Sequence, residues 1–304
     1  MKKRILVIGA DSFIAKHFVF HYKHSFEFVL ISREKSYNHN SEVVIDDLFL
    51  MEEKNFINID AVINFAAIVH QPKQRNWSIY KKVNIDFPLY IADLACKNKV
   101  PRFIQMSSVS VYGNKQYIDI HTKPEPNTLY GHSKLQCDIK LQEMNDSYFK
   151  VLSIRPPMVY GGSGPPGNMM KLIRITKLMK YGIPLPLNSK TRRCFIHVEN
   201  LIDFIHHSII NSLHGIYLVT DGKEAVIKDL MILICDKLAI KPILFRPGKP
   251  LMKLIRFISN SVYTSFYQDL VIRGNYDACG FTPSHTLSDG ILTMVESFTN
   301  SFQS

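Results

Sequence analysis

Over the first 155 residues, apolar runs of strand length alternate with stretches of helical spacing, and that alternation limits the fold more than any other feature. "RILVIGA", "FEFVLIS", "SEVVIDDL", "DAVINFAA", "RFIQMSS" and "FKVLSIRPP" read as strands. Between them, "SFIAKHFVFHY" sets Phe13, Ile14, Phe18 and Val19 at helical spacing, and longer helices are predicted over 77–98 and 128–147. "DAVINFAA" is apolar throughout, as strands covered on both faces are. Each strand then returns parallel to the last through a right-handed crossover. The expected class is α/β, a doubly wound parallel sheet.

After residue 160 the texture changes. "YGGSGPPGN" is a Gly/Pro loop, a basic helix is predicted over 168–180, and "HGIYLVTDG" reads as one more strand. Short helices and proline-rich connections fill the rest. The expected organisation is a sheet domain over 1–163, rejoined by about 197–221, with a smaller interleaved C-terminal lobe over 164–196 and 222–304.

Net charge is +11, from 37 basic and 26 acidic residues, which favours anionic partners. The basic residues are spread out rather than striped, so nucleic-acid binding is not expected. Five cysteines, odd in number and without a CxxC pair, fit free thiols in a reducing compartment. The histidines, His206–His207 included, lack the company of a metal site. The apolar run at the start stops at Asp11 with no small-residue cleavage site, and "AVINFAAIV" (61–69) is too short to span a bilayer. A cytoplasmic protein is expected. "PGKPLMKLIRFISNSVY" puts Leu251, Leu254, Ile255 and Ile258 on one helical face, with Lys253 and Arg256 elsewhere. We read that helix as core-facing, with a membrane-surface helix as the alternative.

"ILVIGADSFIAKHF" has the shape of a strand–turn–helix phosphate loop of the Rossmann type, with only Gly9 of the usual three glycines. Such loops bind pyrophosphate on the helix's first amides, here around Phe13 and Ile14. Ser12 and Ala15 stand where the second and third glycines would be; both are small, and Ser12 can cap the helix. Asp11 could cap it too, but an acid suits no phosphate. The second strand ends in Ser32 and Arg33, a hydroxyl and a guanidinium that suit a 2′-phosphate, so NADP(H) is favoured slightly over NAD. A solvated arginine after a strand is the alternative. Asp47 and Leu48, in "DDL", stand where an acid–apolar pair would face adenine, or form an ordinary strand end.

"LYGHSK" sets Tyr130 and Lys134 four apart in a predicted helix, hence on one face, and the strand before it ends in "SSVSVYG". Hydride transfer at a carbinol or carbonyl carbon needs a proton to leave or join the oxygen. A tyrosine serves only if nearby cations lower its pKa, as Lys134 and an oxidised nicotinamide would. Ser108 would hydrogen-bond the same oxygen.

With these pieces in order, the chain resembles an extended short-chain dehydrogenase/reductase of the nucleotide-sugar epimerase/dehydratase/ketoreductase type. The resemblance runs through "GADSFIA", "DDL", "VINFAA", "VNIDFPL", "SSVSVYG", "YGHSK", "SIRPPMVYG", "RRCFIHVENLIDFI" and "GFTPSHTLSDGI". It implies Ser108, Tyr130 and Lys134 as a catalytic triad, with Lys134 also on the nicotinamide ribose. It implies that Ala66 and Ala67 pass close to the cofactor, that Asn84 supports it, and that Pro156, Pro157 and Met158 line the nicotinamide face. The smaller lobe would bind substrate, with Asn168 and Arg193 at the diphosphate of a sugar nucleotide and Leu185 and Pro186 beside its base. The 4,6-dehydratases of this family need an Asp–Glu pair after the serine; Val109 and Ser110 stand there instead. Arg33 tips the expectation to a 4-ketoreductase of a UDP-linked sugar in surface-polysaccharide synthesis, with a 4-epimerase as the alternative. A non-catalytic member or a lipid-linked sugar epimerase ranks below both. The resemblance also implies a homodimer through a bundle of two helices per subunit.

Overall fold

Alternate residues of the first strand are apolar in both directions, so two separate layers can pack on it. In the computed structural model, which describes residues 2–34, 42–45, 47–69, 76–162, 168–187, 190–258 and 260–300, they do. Strand β1 (Lys3–Ile8) leads through helix α1 (Phe13–Tyr22) to β2 (Phe26–Ser32), β3 (Glu42–Val44) and β4 (Ala61–Asn64). Helix α2 (Trp77–Lys81), a π turn (Lys82–Asp86) and helix α3 (Phe87–Lys97) precede β5 (Arg102–Met106). The short β6 (Tyr117–Ile118), helix α4 (Leu129–Glu143) and β7 (Lys150–Arg155) follow.

The rest of the chain adds one strand to the central sheet and several short strands and helices. It runs β8 (Met158–Tyr160), α5 (Asn168–Thr176), β9 (Leu185–Pro186), β10 (Arg192–Arg193), β11 (Phe195–His197), α6 (Val198–Ile210) and β12 (Gly215–Leu218). Then come β13 (Ala225–Val226), α7 (Ile227–Lys237), β14 (Leu244–Phe245), α8 (Lys249–Ile258), α9 (Asn260–Tyr267), β15 (Val271–Ile272) and α10 (Leu287–Asn300).

Seven strands form the central sheet in the order β12–β7–β5–β4–β1–β2–β3, every neighbouring pair parallel. The expected α/β doubly wound sheet is what the chain forms. Ile5 and Val7 of β1 join a core with Phe18 of α1 and Ile202 and Phe204 of α6. Leu6 and Ile8 face the other way, onto Ile91 and Ala95 of α3 and Leu141 of α4. Fully burying one such side chain is worth about 1.5–3 kcal/mol. The order of strands reverses between β1 and β4, and the C-terminal ends of those strands open a crevice where doubly wound sheets take ligands.

Two helices differ from the sequence reading. The helix predicted over 77–98 is broken by the π turn at Lys82–Asp86. Pro88 has no N–H for the carbonyl of Asn84, four residues back, and the helix widens just before it. The helix expected to reach 147 stops at Glu143, because the Asp146 carboxylate accepts from the N–H groups of Tyr148 and Phe149 and makes a turn.

A second core gathers Met169 and Ile173 of α5, Leu230 and Ile234 of α7, and Ile291 and Met294 of α10. Those helices fill it, and α8 is left outside. No residue of α8 is buried, and Phe257 and Ile258 are 90% and 72% exposed. Of the face read as core-facing, Leu251 and Ile255 are half-buried and Leu254 and Ile258 are exposed, so only part of that face is covered. The loop at 163–167 and the side chains of Leu48 and Asn168 lie outside the described residues.

Candidate active site

The turn after β1 is held by its own backbone. Gly9 and Ala10 donate their N–H groups to Ile31 O, at 2.9 and 3.0 Å. Gly9 has φ +73°, and a Cβ there would meet Ala66 N at 2.7 Å, so no other residue fits between β1 and the turn after β4. Ser12 caps α1, its hydroxyl accepting from Ala15 N–H at 3.4 Å. The cap thus falls to Ser12 and not to Asp11, and the amides of Phe13 and Ile14 stand at the helix's open end, as an anion site requires. Asn64 fixes the opposite lip: its Nδ2 donates to Gln105 Oε1 at 2.9 Å and its Oδ1 accepts from Ala66 N–H at 3.0 Å. Ala66 and Ala67 are half-buried there.

At the end of β2, Ser32 and Arg33 part company. Ser32 is buried and donates its hydroxyl to Glu42 Oε1 at 3.0 Å, while Arg33 is exposed. A hydroxyl spent on a carboxylate is a poor phosphate ligand, and the carboxylate itself repels one. This counts against the Ser32–Arg33 pair as a 2′-phosphate site. Asp47 is exposed and accepts from Phe49 N–H at 3.1 Å, capping a short turn that begins at Leu48.

Asn84 sits buried in the π turn. Its Oδ1 accepts from Ile68 N–H at 2.8 Å, and its Nδ2 donates to Ile68 O at 2.9 Å and Ser133 Oγ at 3.0 Å. It ties the loop after Ala67 to helix α4, so its support of the site runs through two neighbouring segments.

Helix α4 starts at a Thr128 cap whose hydroxyl accepts from Gly131 N–H at 3.0 Å. A Cβ at Gly131 would collide with Ser110 O, so this glycine lets α4 lie against the segment after β5. That close approach brings Tyr130 to Ser108, with Lys134 one turn further along α4. The Ser108 hydroxyl donates to Ser110 Oγ at 3.0 Å and accepts from Ser110 N–H at 3.1 Å. Lys134 is buried, with Nζ 5.9 Å from the Tyr130 ring centroid and donating to Met106 O at 2.8 Å. Burial pushes the lysine down from its ordinary pKa; Cys137 and Asp138 push it up. Burial pushes the Tyr130 phenol up to about 12, a hydrogen bond with Ser108 pulls it down, and the charges of Asp138 and Tyr80 push it up. The protein alone thus makes Tyr130 a weaker acid than expected, because burial outweighs a lysine turned toward a carbonyl.

Behind the lysine lies a buried ion pair that sequence reasoning missed. Arg155 Nε donates to Asp138 Oδ2 at 2.9 Å, Ser107 Oγ donates to the same oxygen at 2.8 Å, and Arg155 also reaches Tyr112 OH at 2.8 Å. The available signal was Asp138 one turn beyond Lys134, matched with a charge inside the apolar run "VLSIRPP".

On the lobe side, Pro156 and Pro157 are buried after β7, and Met158 opens β8, which pairs with β11. Leu185 and Pro186 form β9 against β14, and Pro186 O accepts from Tyr267 OH at 2.9 Å. Asn168 is the first residue of α5. Arg193 is half-buried and donates to two carbonyls of the α9 region, Thr264 O at 2.8 Å and Gln268 O at 3.1 Å. Burial pushes it down to about 10, against the charges of Cys194 and Asp269. Its partners at Thr264 and Gln268 are both neutral carbonyls.

Residues 5–219 match the model of the NAD dependent epimerase/dehydratase family. The chain belongs to that family. Among curated relatives, a UDP-glucose 4-epimerase of Vibrio cholerae is 28% identical over 246 residues, 74% of this chain and 72% of that protein. An N-acetyl-alpha-D-glucosaminyl-diphospho-ditrans,octacis-undecaprenol 4-epimerase of Escherichia coli O157:H7 is 26% identical over 223 residues, 71% of this chain and 66% of that one. Among solved structures, a UDP-N-acetylglucosamine 4-epimerase from Methanobrevibacter ruminantium M1 superimposes with a TM-score of 0.79 at 21% identity, covering 99% of this chain and all of that one (100%). The epimerase/dehydratase family is one of enzymes, and this member keeps a serine, a tyrosine and a lysine together at the crevice.

Proposed function

We propose that the protein is an NAD-dependent 4-epimerase of nucleotide sugars, not the 4-ketoreductase first expected. The observation that carries the reading is the convergence of Ser108 and Lys134 on Tyr130, in a chain that also packs Gly9 closely against Ala66. The residues fit a dinucleotide: a close-packed glycine turn, free first-turn amides and a buried lysine at the crevice. Glu42, the first residue of β3 and the acceptor for Ser32 at the end of β2, favours NAD, whose ribose carries hydroxyls, over NADP. An epimerase needs no outside reductant, and both curated relatives are named as 4-epimerases.

When bound, NAD supplies a hydride acceptor and donor for C4. Tyr130 takes the proton of the C4 hydroxyl while C4 gives up its hydride to that acceptor, and the two losses together leave a 4-keto sugar. Ser108 donates a hydrogen bond to that oxygen throughout, and Lys134 favours the charged phenolate. After the keto sugar turns over, C4 regains the hydride on its other face and Tyr130 returns the proton to the oxygen. Arg193 and the start of α5 at Asn168 hold the diphosphate. Leu185 and Pro186 border the base, and Met158 and Pro157 the ring. The test is incubation with UDP-glucose and UDP-N-acetylglucosamine without added reductant; formation of the C4 epimer supports the reading. Oxidation of added NADPH on a 4-keto sugar, with no epimer formed, would return it to a ketoreductase.

A second reading keeps the chemistry and changes the carrier. The Escherichia coli relative is named for a polyprenol-diphosphate sugar, and an arginine clamp on a diphosphate serves either carrier.

A further inference from the structure

Helix α8 is strongly amphipathic and only partly covered: Leu251, Met252 and Ile255 are half-buried, and the rest of the helix is exposed. At 100° per residue, Phe257, Pro250, Leu254, Ile258, Leu251, Ile255 and Met252 occupy one continuous arc, and Lys249, Lys253 and Arg256 the remainder. Phe257 is 90%, Ile258 72% and Leu254 51% exposed, and no side chain of the helix is buried. No helix of the described residues is long and apolar enough to cross a membrane.

The charge around the helix says what covers it. From Lys237 to Gln268 there are six Lys and Arg and no Asp or Glu, in a chain whose net charge is +11. Four residues before the helix, Phe245 of β14 is 40% exposed. An apolar arc of Leu, Ile and Phe flanked by basic residues alone is the composition that lies in the interface of an anionic bilayer. A second copy of the chain would set six positive charges against six.

We propose that α8 docks the protein on anionic membrane, with Phe257, Ile258 and Leu254 inserted among the acyl chains and Lys249, Lys253 and Arg256 at the headgroups. The docked helix lies beside α9, whose carbonyls hold Arg193. The proposal does not depend on the reaction assigned above.

The test is flotation of the full-length protein with phosphatidylcholine vesicles, with and without phosphatidylglycerol. The expected result is binding that needs phosphatidylglycerol and falls as salt rises. Phe257→Glu with Ile258→Glu weakens it by about tenfold or more. Lys253→Glu with Arg256→Glu does so too, also by about tenfold or more. The altered side chains are exposed, so thermal unfolding midpoints stay unchanged and show that each variant is folded. No binding to phosphatidylglycerol vesicles, or binding that both variants retain, overturns the proposal. A dimer in sedimentation that Phe257→Glu splits, without vesicle binding, also overturns it, because the face then belongs to a second copy. None of these readouts uses turnover, so the outcome is independent of whether the epimerase reading stands.

Discussion

Lys134 Nζ lies 5.9 Å from the centre of the Tyr130 ring and donates its hydrogen bond to Met106 O. The lysine is held beside the phenol and not on it. In the protein alone, burial prevails and Tyr130 is pushed up to about 12. A base at neutral pH then depends on the positive charge of bound NAD⁺. The phenolate absorbance assigned by difference with Tyr130→Phe should titrate near 12 without NAD⁺ and clearly lower with it. The same midpoint in both states would remove NAD⁺ as the cation that activates Tyr130.

Tyr130→Phe should lower kcat by about 10²–10⁴-fold, the usual size of a positioned acid–base group. NAD affinity should be nearly unchanged. Turnover within a few-fold of the parent would show that another group moves the proton.

Glu42→Gln should raise NADP(H) affinity relative to NAD(H), because it removes the carboxylate that Ser32 engages. Arg33→Ala should weaken both cofactors alike. A selective loss of NADPH binding in Arg33→Ala would restore the 2′-phosphate site to Ser32 and Arg33.

Asp138→Asn should cost about 3–5 kcal/mol, since it leaves Arg155 buried without its carboxylate. Ser107→Ala, which removes one neutral donor to the same oxygen, should cost about 0.5–1.5 kcal/mol. Denaturant unfolding reads both. Equal small losses would mean that Arg155 is satisfied by Tyr112 alone.

His197 gives a pH dependence of stability. It is buried, its Nδ1 accepts from Glu199 N–H at 3.1 Å, and its ring stacks on His285 at 5.0 Å. Burial, with His285 and His17, lowers it from 6.5 to about 4, against Glu199 and Asp289. The folded value is below the unfolded one, so stability is complete above about 6.5 and is lost as pH falls toward about 4. The loss is about 3 kcal/mol. His197→Asn keeps a side-chain cap for α6 and should flatten the unfolding midpoint across that window; an unchanged slope would assign the dependence to other groups.

The sheet was legible in the sequence because its strands are apolar on both faces; "FEFVLIS" coincides with β2, Phe26–Ser32. Tyr130 and Lys134 share a helical face by spacing alone. The rest depended on long-range packing. The contact of Ser32 with Glu42 exists only because β3 pairs with β2, and the Asp138–Arg155 pair only because α4 lies on β7. The rise in Tyr130's pKa reflects burial, which spacing does not reveal. Periodicity marked the apolar arc of α8 correctly, but not that α5, α7 and α10 would fill the core without it.

The most direct measurement of the central claim is the NMR spectrum of a UDP-hexose incubated with the purified protein and catalytic NAD⁺, with no reductant. The C4 epimer should appear and both sugars reach equilibrium, with no net NADH formed, and Tyr130→Phe should abolish it. A substrate that stays unchanged until NADPH and a 4-keto sugar are supplied, and is then consumed mole for mole with NADPH, would contradict that claim.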